Sequence, residues 1–452
     1  MDMKKLHLVS LGCDKNLVDA ENMLGHLYKS GFVFTDDPYE ADIIVVNTCC
    51  FIRDAKDESI ETILEMAEVK KEGRSELLIV TGCMAERYKD EIMESIPEVD
   101  AVLGTNAWQD ISEIASRLMK GEESIVSMKP LSETHFDEQR AAGRVVTTGG
   151  HYAYLKISEG CNKRCTYCII PFLRGNQRSV PMEELIEEAK RLAADGVKEL
   201  ILVAQETSVY GTDLYGKKML PELLEKLNDI EGIEWIKIMY CYPEEVTDEL
   251  IQAIKRLPKV CHYLDIPIQH ASDHILKRMA RKTTRAEITE RINAIRKEIP
   301  DIVFRTTMIS GFPGETDADH KILMEFIREM EFDRLGDFTY SKEEGTKAAT
   351  FSHQISKKVK EERREDVMLL QQEIAFRKAK SQIGRRLRTI IEGRLTDTDE
   401  DGNVYVGRTY MDVPGVDGYI YINTGNREFM TGDMVDAEVI DANEYDLIGR
   451  LV

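Results

Sequence analysis

The sequence predicts an α/β multidomain protein, and three observations carry that prediction. Short apolar, β-branched runs alternate with helix-like stretches at the N-terminus, the pattern of a doubly wound parallel α/β domain. The same alternation resumes with a longer period from Tyr152 to Ser341, giving six β/α units, too few to close an eight-fold barrel. Beyond residue 380 the texture changes to alternating apolar and polar positions punctuated by Asp-Gly and Gly-Asp, the signature of a small antiparallel β-barrel.

Taken in order, LHLVSLG (6–12), ADIIVVNT (41–48) and ELLIVTG (76–82) read as buried parallel strands, with helices near Asn16–Ser30 and Ser59–Lys71 between them. These define an N-terminal domain over residues 1–122. Residues 123–149 lack a sustained period, end at the first glycine of Gly149-Gly150, and read as a linker. The partial (β/α)6 barrel spans 150–375, with strands at 152–158, 198–205, 235–241, 263–269, 303–310 and 334–340. Apolar residues at three-to-four spacing place helices at 182–196, 248–257 and 285–299. A partial barrel leaves one side open for a large substrate. A charged helix, Lys357–Lys380, leads to the C-terminal barrel, residues 378–452, with strands in RTIIEGRL, NVYVGRTY, GYIYINT and DMVDAEVIDA.

Composition narrows the function classes. A 452-residue chain with 42% hydrophobic and 31% charged residues is globular and too long for one core. No apolar run approaches the ~20 residues of a membrane span, and the N-terminus lacks a signal peptide's apolar core, so a cytoplasmic protein is expected; a monomer is the default expectation. The net charge of −22 argues against a broad nucleic-acid-coating surface and favours a basic partner or a localised basic pocket. Nine cysteines in a reducing compartment are core thiols, metal ligands or nucleophiles rather than disulfides.

Their positions decide among these. Cys161, Cys165 and Cys168 form CNKRCTYC directly after a predicted strand. Three thiolates on one loop hold three corners of a 4Fe–4S cluster and leave one iron open to a chelating substrate; a zinc site needs a fourth nearby ligand, and none follows. Cys13, Cys49 and Cys83 each stand directly after one of the three N-terminal strands, in SLGC, VNTC and VTGC. In a parallel sheet that shared offset gathers them at the carboxyl edge, where such folds bind ligands, and again suits a cluster with a free iron. Cys50 competes with Cys49, but position 49 keeps the register of the other two. Cys241 and Cys261 read as buried core thiols. Two open-iron clusters imply two tasks: an electron from the 161–168 loop cleaves a bound sulfonium, and the N-terminal site carries a sulfur species.

GCNKRCTYC resembles the signature of the radical S-adenosylmethionine superfamily. Together with SLGCDKNLVDAE, VNTC, TGCMAERY and the C-terminal barrel, the chain resembles over its whole length the methylthiotransferase family, whose last domain is a TRAM barrel. Leu11–Asp19, AQETSVYG, FTYSKEEGT and VPGVDGYIYI are most similar to the ribosomal-protein methylthiotransferases of the RimO type; tRNA-modifying relatives carry a GCQMN-like sequence instead. Cys50 departs from the pattern, in which Gly follows the ligand. The resemblance implies two 4Fe–4S clusters and S-adenosylmethionine as cofactors. One S-adenosylmethionine methylates a sulfide on the N-terminal cluster; a second gives a 5′-deoxyadenosyl radical that abstracts hydrogen from the β-carbon of an aspartate in small-subunit ribosomal protein twelve. It also implies a reducing partner such as flavodoxin or ferredoxin. A C-terminal segment from Ser381 onward with seven Arg, no Lys and fourteen Asp and Glu suits a basic protein substrate. The runner-up, a tRNA methylthiotransferase acting on a modified adenosine, calls for a basic barrel.

Further candidates are weighed against plainer roles. GFPGET (311–316) is read as a turn whose Gly311 and Gly314 let backbone approach S-adenosylmethionine at a helix N-terminus, or as a plain β-to-α turn. Gln205, Gln269 and Arg305 stand near carboxyl ends of strands and are candidates for its carboxylate or ribose, with structural roles equally open. Arg174 and Arg178 face substrate, screen cluster charge or lie on the surface. His262, His270 and His274 are read as core or surface histidines rather than a metal site, and Asp399, Glu400 and Asp401 as an acidic turn.

Overall fold

The computed structural model describes residues 4–132, 136, 143–395 and 402–452; the turn at Asp399–Asp401 lies outside them. The N-terminal sheet is parallel throughout, in the order β2-β1-β3-β4-β5-β6: β1 Lys5–Ser10, β2 Val33–Phe34, β3 Ile43–Thr48, β4 Leu77–Gly82, β5 Ala101–Leu103 and β6 Ile125–Ser127. β3 and β4 are buried along their whole length, which is why IIVVNT and LLIVTG carry no polar alternation. β1, β3 and β4, each ending before a cysteine, are neighbours in this sheet.

The expected linker is more structured than its aperiodic sequence suggests. β6 lies inside it and pairs with β5, and residues 143–147 run extended along helix Asp14–Lys29. Glu21 on that helix, fully buried, takes the Arg144 guanidinium at Nε (2.6 Å) and the Thr147 amide at 2.6 Å. An extended segment satisfied by one carboxylate has no period of its own to read.

The central domain matches the expected open barrel. β7 Tyr152–Lys156, a two-residue ribbon strand β8 Ser158–Glu159 and its partner β9 Arg178–Ser179 precede β10 Glu199–Val203. β11 Trp235–Ile238, β12 Val260–Asp265, β13 Val303–Ser310 and β14 Arg334–Thr339 follow. The six long strands form one parallel sheet in the order β7-β10-β11-β12-β13-β14, with β7 and β14 unpaired to each other. Helices Met182–Ala194, Asp248–Arg256 and Arg285–Glu298 cover the outside; the last begins with a capping box between Thr284 and Glu287.

Helix Lys357–Lys380 leads into a closed five-stranded barrel, β15 Arg386–Leu395, β16 Val404–Thr409, β17 Ile420–Asn423, β18 Met434–Ala442 and β19 Leu447–Leu451, in the order β15-β16-β17-β19-β18. β19 is an addition to the sequence reading, and it closes the barrel by pairing parallel with β17. The barrel packs into the half-barrel's concave face: Ile201, Trp235, Cys261 and Tyr263 share one apolar cluster with Ile390, Val413, Ile420 and Val439. At its centre Glu199 is fully buried between Lys237 (2.7 Å) and Arg408 of β16 (2.6 Å). Among the described residues no helix is long and apolar enough to cross a membrane.

Candidate active site

Three adjacent strands deliver three thiols to one sheet edge. Cys13 caps helix Asp14–Lys29 after β1, Cys49 follows β3, and Cys83 opens helix Cys83–Ser95 after β4. Glycines make the approach: Gly12, at φ +91°, lies so close to Cys49 that a β-carbon there would stand 2.7 Å from its Cβ and 2.9 Å from its Sγ. The thiols sense one another. Burial, then the facing thiols of Cys83 and Cys13, push Cys49 up to about 12. Burial also raises Cys83, against the nearby Arg174 guanidinium.

Cys50 points the other way. Its side chain is fully buried among Ile44, Ile63, Met66 and Met84 in the apolar cluster beneath the sheet, with Sγ donating to the Cys83 carbonyl at 3.2 Å. Cys49 has the Cys83 and Cys13 thiols near it, and the Cys50 thiol is near Cys83 and Arg87. Cys241 and Cys261 are buried core thiols.

The second set lies on the 161–168 loop after β7 and β8. Thr166 pins the loop, its amide donating to the Met279 carbonyl at 3.0 Å and its carbonyl accepting from Ala348 at 2.8 Å. Arg164, at φ +57°, turns the chain so that Cys165 follows. Burial, with Glu206 and Cys165 nearby, pushes Cys161 up to about 11, and burial with the facing thiols of Cys165 and Cys161 raises Cys168 further. Tyr242, after β11, places its hydroxyl 3.6 Å from the Cys165 sulfur, and Arg281 stacks on its ring at 3.9 Å. Burial lifts Glu206, after β10, to about 7 despite Lys163 beside it.

Both cysteine sets fit a cluster rather than a lone ion. Among the described residues no three His, Cys, Asp or Glu side chains converge tightly enough for a single metal ion. Each set instead presents three thiols on neighbouring chain segments, the donor chemistry of an iron–sulfur cluster with one open iron.

A buried ionic seam joins the two sets. Arg174 is 3% exposed, which removes its surface reading; its guanidinium binds Asp19 at 2.5 Å, Glu159 at 3.2 Å and the Asn16 amide oxygen at 2.9 Å. Lys156 of β7 closes the seam on Asp19 and on Glu159 at 2.8 Å. Although burial opposes it, Lys156 and Arg174 hold the Glu159 carboxyl well below the usual carboxylate range. Asp19 and Asn16 lie in the same motif as Cys13, but a spacing argument sees only the cysteines. Arg178 instead donates to the carbonyls of Asn176 (2.7 Å) and Arg174 (3.1 Å).

The candidate S-adenosylmethionine residues divide. Gln205 donates to Glu159 at 2.7 Å and leaves its carbonyl oxygen buried without a partner among the described residues. Gln269 is held at φ +76° in a bridge to Met308, a strained conformation of the kind found at ligand sites. Arg305 is engaged by Asp265 (3.2 Å) and by Asp417 of the C-terminal barrel (3.5 Å), a domain junction. The GFPGET turn corrects the expectation of an external anion: the Gly311 and Phe312 amides both donate to the buried carboxylate of Glu315, at 2.5 and 3.1 Å, and Thr316 and Asp319 cap the following helix. Gly311 and Gly314 keep φ of +75° and +88°, required by the turn itself. His262, His270 and His274 do not converge: His262 pairs with Asp301, His274 with Asp319, and His270 accepts from the amides of Ala271 and Ser272.

Comparison with known proteins follows the same three segments. Family models match the Uncharacterized protein family UPF0004 over residues 5–104, the Radical SAM superfamily over 155–327 and the TRAM domain over 383–452. The ribosomal protein uS12 methylthiotransferase RimO of Lachnoclostridium phytofermentans is 60% identical, over 98% of this chain and 99% of its own. This chain belongs to the RimO family of radical SAM methylthiotransferases. The RimO proteins of Acetivibrio thermocellus and Clostridioides difficile, 50% and 49% identical over 99% and 100% of this chain and 98% and 99% of their own, support the same placement. Among solved structures, the radical S-adenosylmethionine methyltransferase TsrM of Kitasatospora setae aligns with a TM-score of 0.54 at 13% identity, over 74% of this chain and 73% of its own. That likeness is one of fold. For a RimO-family enzyme, the half-barrel with its 161–168 loop is the radical domain, and the C-terminal TRAM barrel fills its concave face rather than standing apart.

Proposed function

We propose that this enzyme inserts a methylthio group at the β-carbon of an aspartate in ribosomal protein uS12, with one 4Fe–4S cluster held by Cys161, Cys165 and Cys168 and a second by Cys13, Cys49 and Cys83. The observation that carries the reading is the buried seam of Arg174, Asp19, Glu159 and Lys156, which ties the helix after Cys13 to the segment after Cys168. When bound, the clusters supply the electron for sulfonium cleavage and the site for sulfur delivery. The chain's own residues do the rest. Gln205 offers a buried carbonyl oxygen to S-adenosylmethionine. Tyr242 and Arg281 exclude water from the Cys165 side. Arg174 places a fixed positive charge beside Cys83, compensating thiolate charge in a buried site.

The acidic C-terminal segment complements a basic ribosomal protein and disfavours tRNA. A small one-electron donor, a monomeric enzyme and a cytoplasmic setting complete the proposal. Mass spectrometry of uS12 and of digested tRNA from cells with and without the gene tests it. Loss of one methylthio increment from an aspartate of uS12 is expected; loss from tRNA nucleosides instead would overturn the choice of substrate.

A further inference from the structure

Arg281 is a buried cation that hydrogen bonds do not account for. Its side chain is fully buried, yet only one nitrogen is satisfied, donating to the Pro267 carbonyl at 2.9 Å. Nε and Nη1 have no hydrogen-bond partner among the described residues, and the Glu244 carboxylate lies 3.9 Å away. Burying a guanidinium with idle N–H groups is costly, and an apolar side chain would fill the space without that cost. What the cation does face is the ring of Tyr242, 3.9 Å from the centroid. Lys163 stands over the same ring at 4.7 Å. One turn assembles the group: Tyr242 is followed by Glu244 and Glu245, which take the Lys163 ammonium at 3.6 and 2.5 Å. The ring so loaded with two cations carries the hydroxyl that lies 3.6 Å from the Cys165 sulfur.

We propose that the Tyr242 hydroxyl donates a hydrogen bond to the Cys165 thiolate when the 161–168 loop holds its cluster, and that Arg281 and Lys163, acting through the ring, strengthen that bond and raise the reduction potential of the centre. This deepens the proposed function and rests on its reading of that loop. An iron-bound thiolate carries no proton, which makes the hydroxyl the donor. A cation over an aromatic face draws on the ring's electron density and leaves its O–H more polar. Arg suits this place better than Lys, because its flat guanidinium stacks on the ring. Hydrogen bonds to cluster sulfurs and positive charge nearby stabilise the reduced, more negative state, and both are levers that set iron–sulfur potentials. On reduction one electron enters the centre from the reducing partner, no bond forms or breaks, and the phenolic proton stays on its oxygen.

The test is a potentiometric titration of the reconstituted full-length chain, followed by electron paramagnetic resonance, in a Cys83→Ala background so that only the 161–168 centre is read. Tyr242→Phe removes the hydroxyl and keeps the ring. Its centre should be about tenfold harder to reduce, about 59 mV more negative for one electron, with iron content unchanged. Arg281→Lys, which keeps the charge without the flat face, should shift the potential the same way by less, and should add little once Tyr242 is replaced. Tyr215→Phe, whose hydroxyl accepts from the Met182 amide instead of facing a cysteine, should titrate as its parent. A Tyr242→Phe potential unchanged within about twofold in the reduction equilibrium, a shift to more positive values, or loss of iron in place of a shift would overturn the proposal. Additive shifts in the double variant would overturn the part assigned to Arg281. A Cys83→Ala parent without any reducible iron–sulfur signal would instead overturn the reading of the loop itself.

Discussion

Arg174 reaches across 155 positions of sequence to Asp19, at 2.5 Å, and so fastens the helix behind Cys13 to the segment behind Cys168. Neither residue is exposed, and Glu159 and Asn16 take the remaining contacts of the guanidinium. The pair is the covalently unlinked joint between the sulfur-carrying and radical halves of the proposed site.

Removing one partner of this joint leaves buried charge uncompensated. Arg174→Ala should cost about 3–5 kcal/mol of stability, read as a lowered Tm, and Asp19→Asn less because Lys156 and Glu159 still pair. Arg174→Lys should recover part of the loss but not the second guanidinium nitrogen's bond to Asn16. Methylthio transfer should fall more than 5′-deoxyadenosine formation; equal falls would place Arg174 outside the joint.

The two cysteine sets should separate by function. Cys165→Ala should abolish 5′-deoxyadenosine formation. Cys83→Ala should spare it, halve the bound iron and stop methylthiolation. Cys50→Ala, which only trims the apolar cluster, should keep full iron content at a cost of ~1 kcal/mol; loss of half the iron in that variant would make Cys50 the ligand.

Gly12→Ala tests the close approach beside Cys49. The added methyl meets Cys49 at 2.7 Å and must also adopt φ +91°, at a cost of ~1–3 kcal/mol. Iron bound at the N-terminal site should fall, with the radical centre's spectroscopic signature unchanged.

The Glu199 junction predicts acid sensitivity of the TRAM barrel. Burial works against the Glu199 charge, but Arg408 and Lys237 outweigh it and hold the carboxyl at about 2, below its ordinary 4.5. A depressed carboxylate stabilises the fold above its unfolded value, so this contribution should be present above pH 4.5 and lost between there and about 2. Urea midpoints across that range should fall for wild type and change less for Glu199→Gln, which starts less stable.

The sequence by itself determined the three architectures, the six-strand count and the two cysteine sets, because each is written in local period or in offset from a strand end. What only the tertiary structure decided are the contacts between distant segments. Glu315 fills the GFPGET turn, Asp417 claims Arg305, residues 144–147 bond to Glu21 of helix Asp14–Lys29, and Arg174 is buried against Asp19. Such pairings join residues tens to hundreds of positions apart, and no local pattern encodes which carboxylate a buried cation will meet.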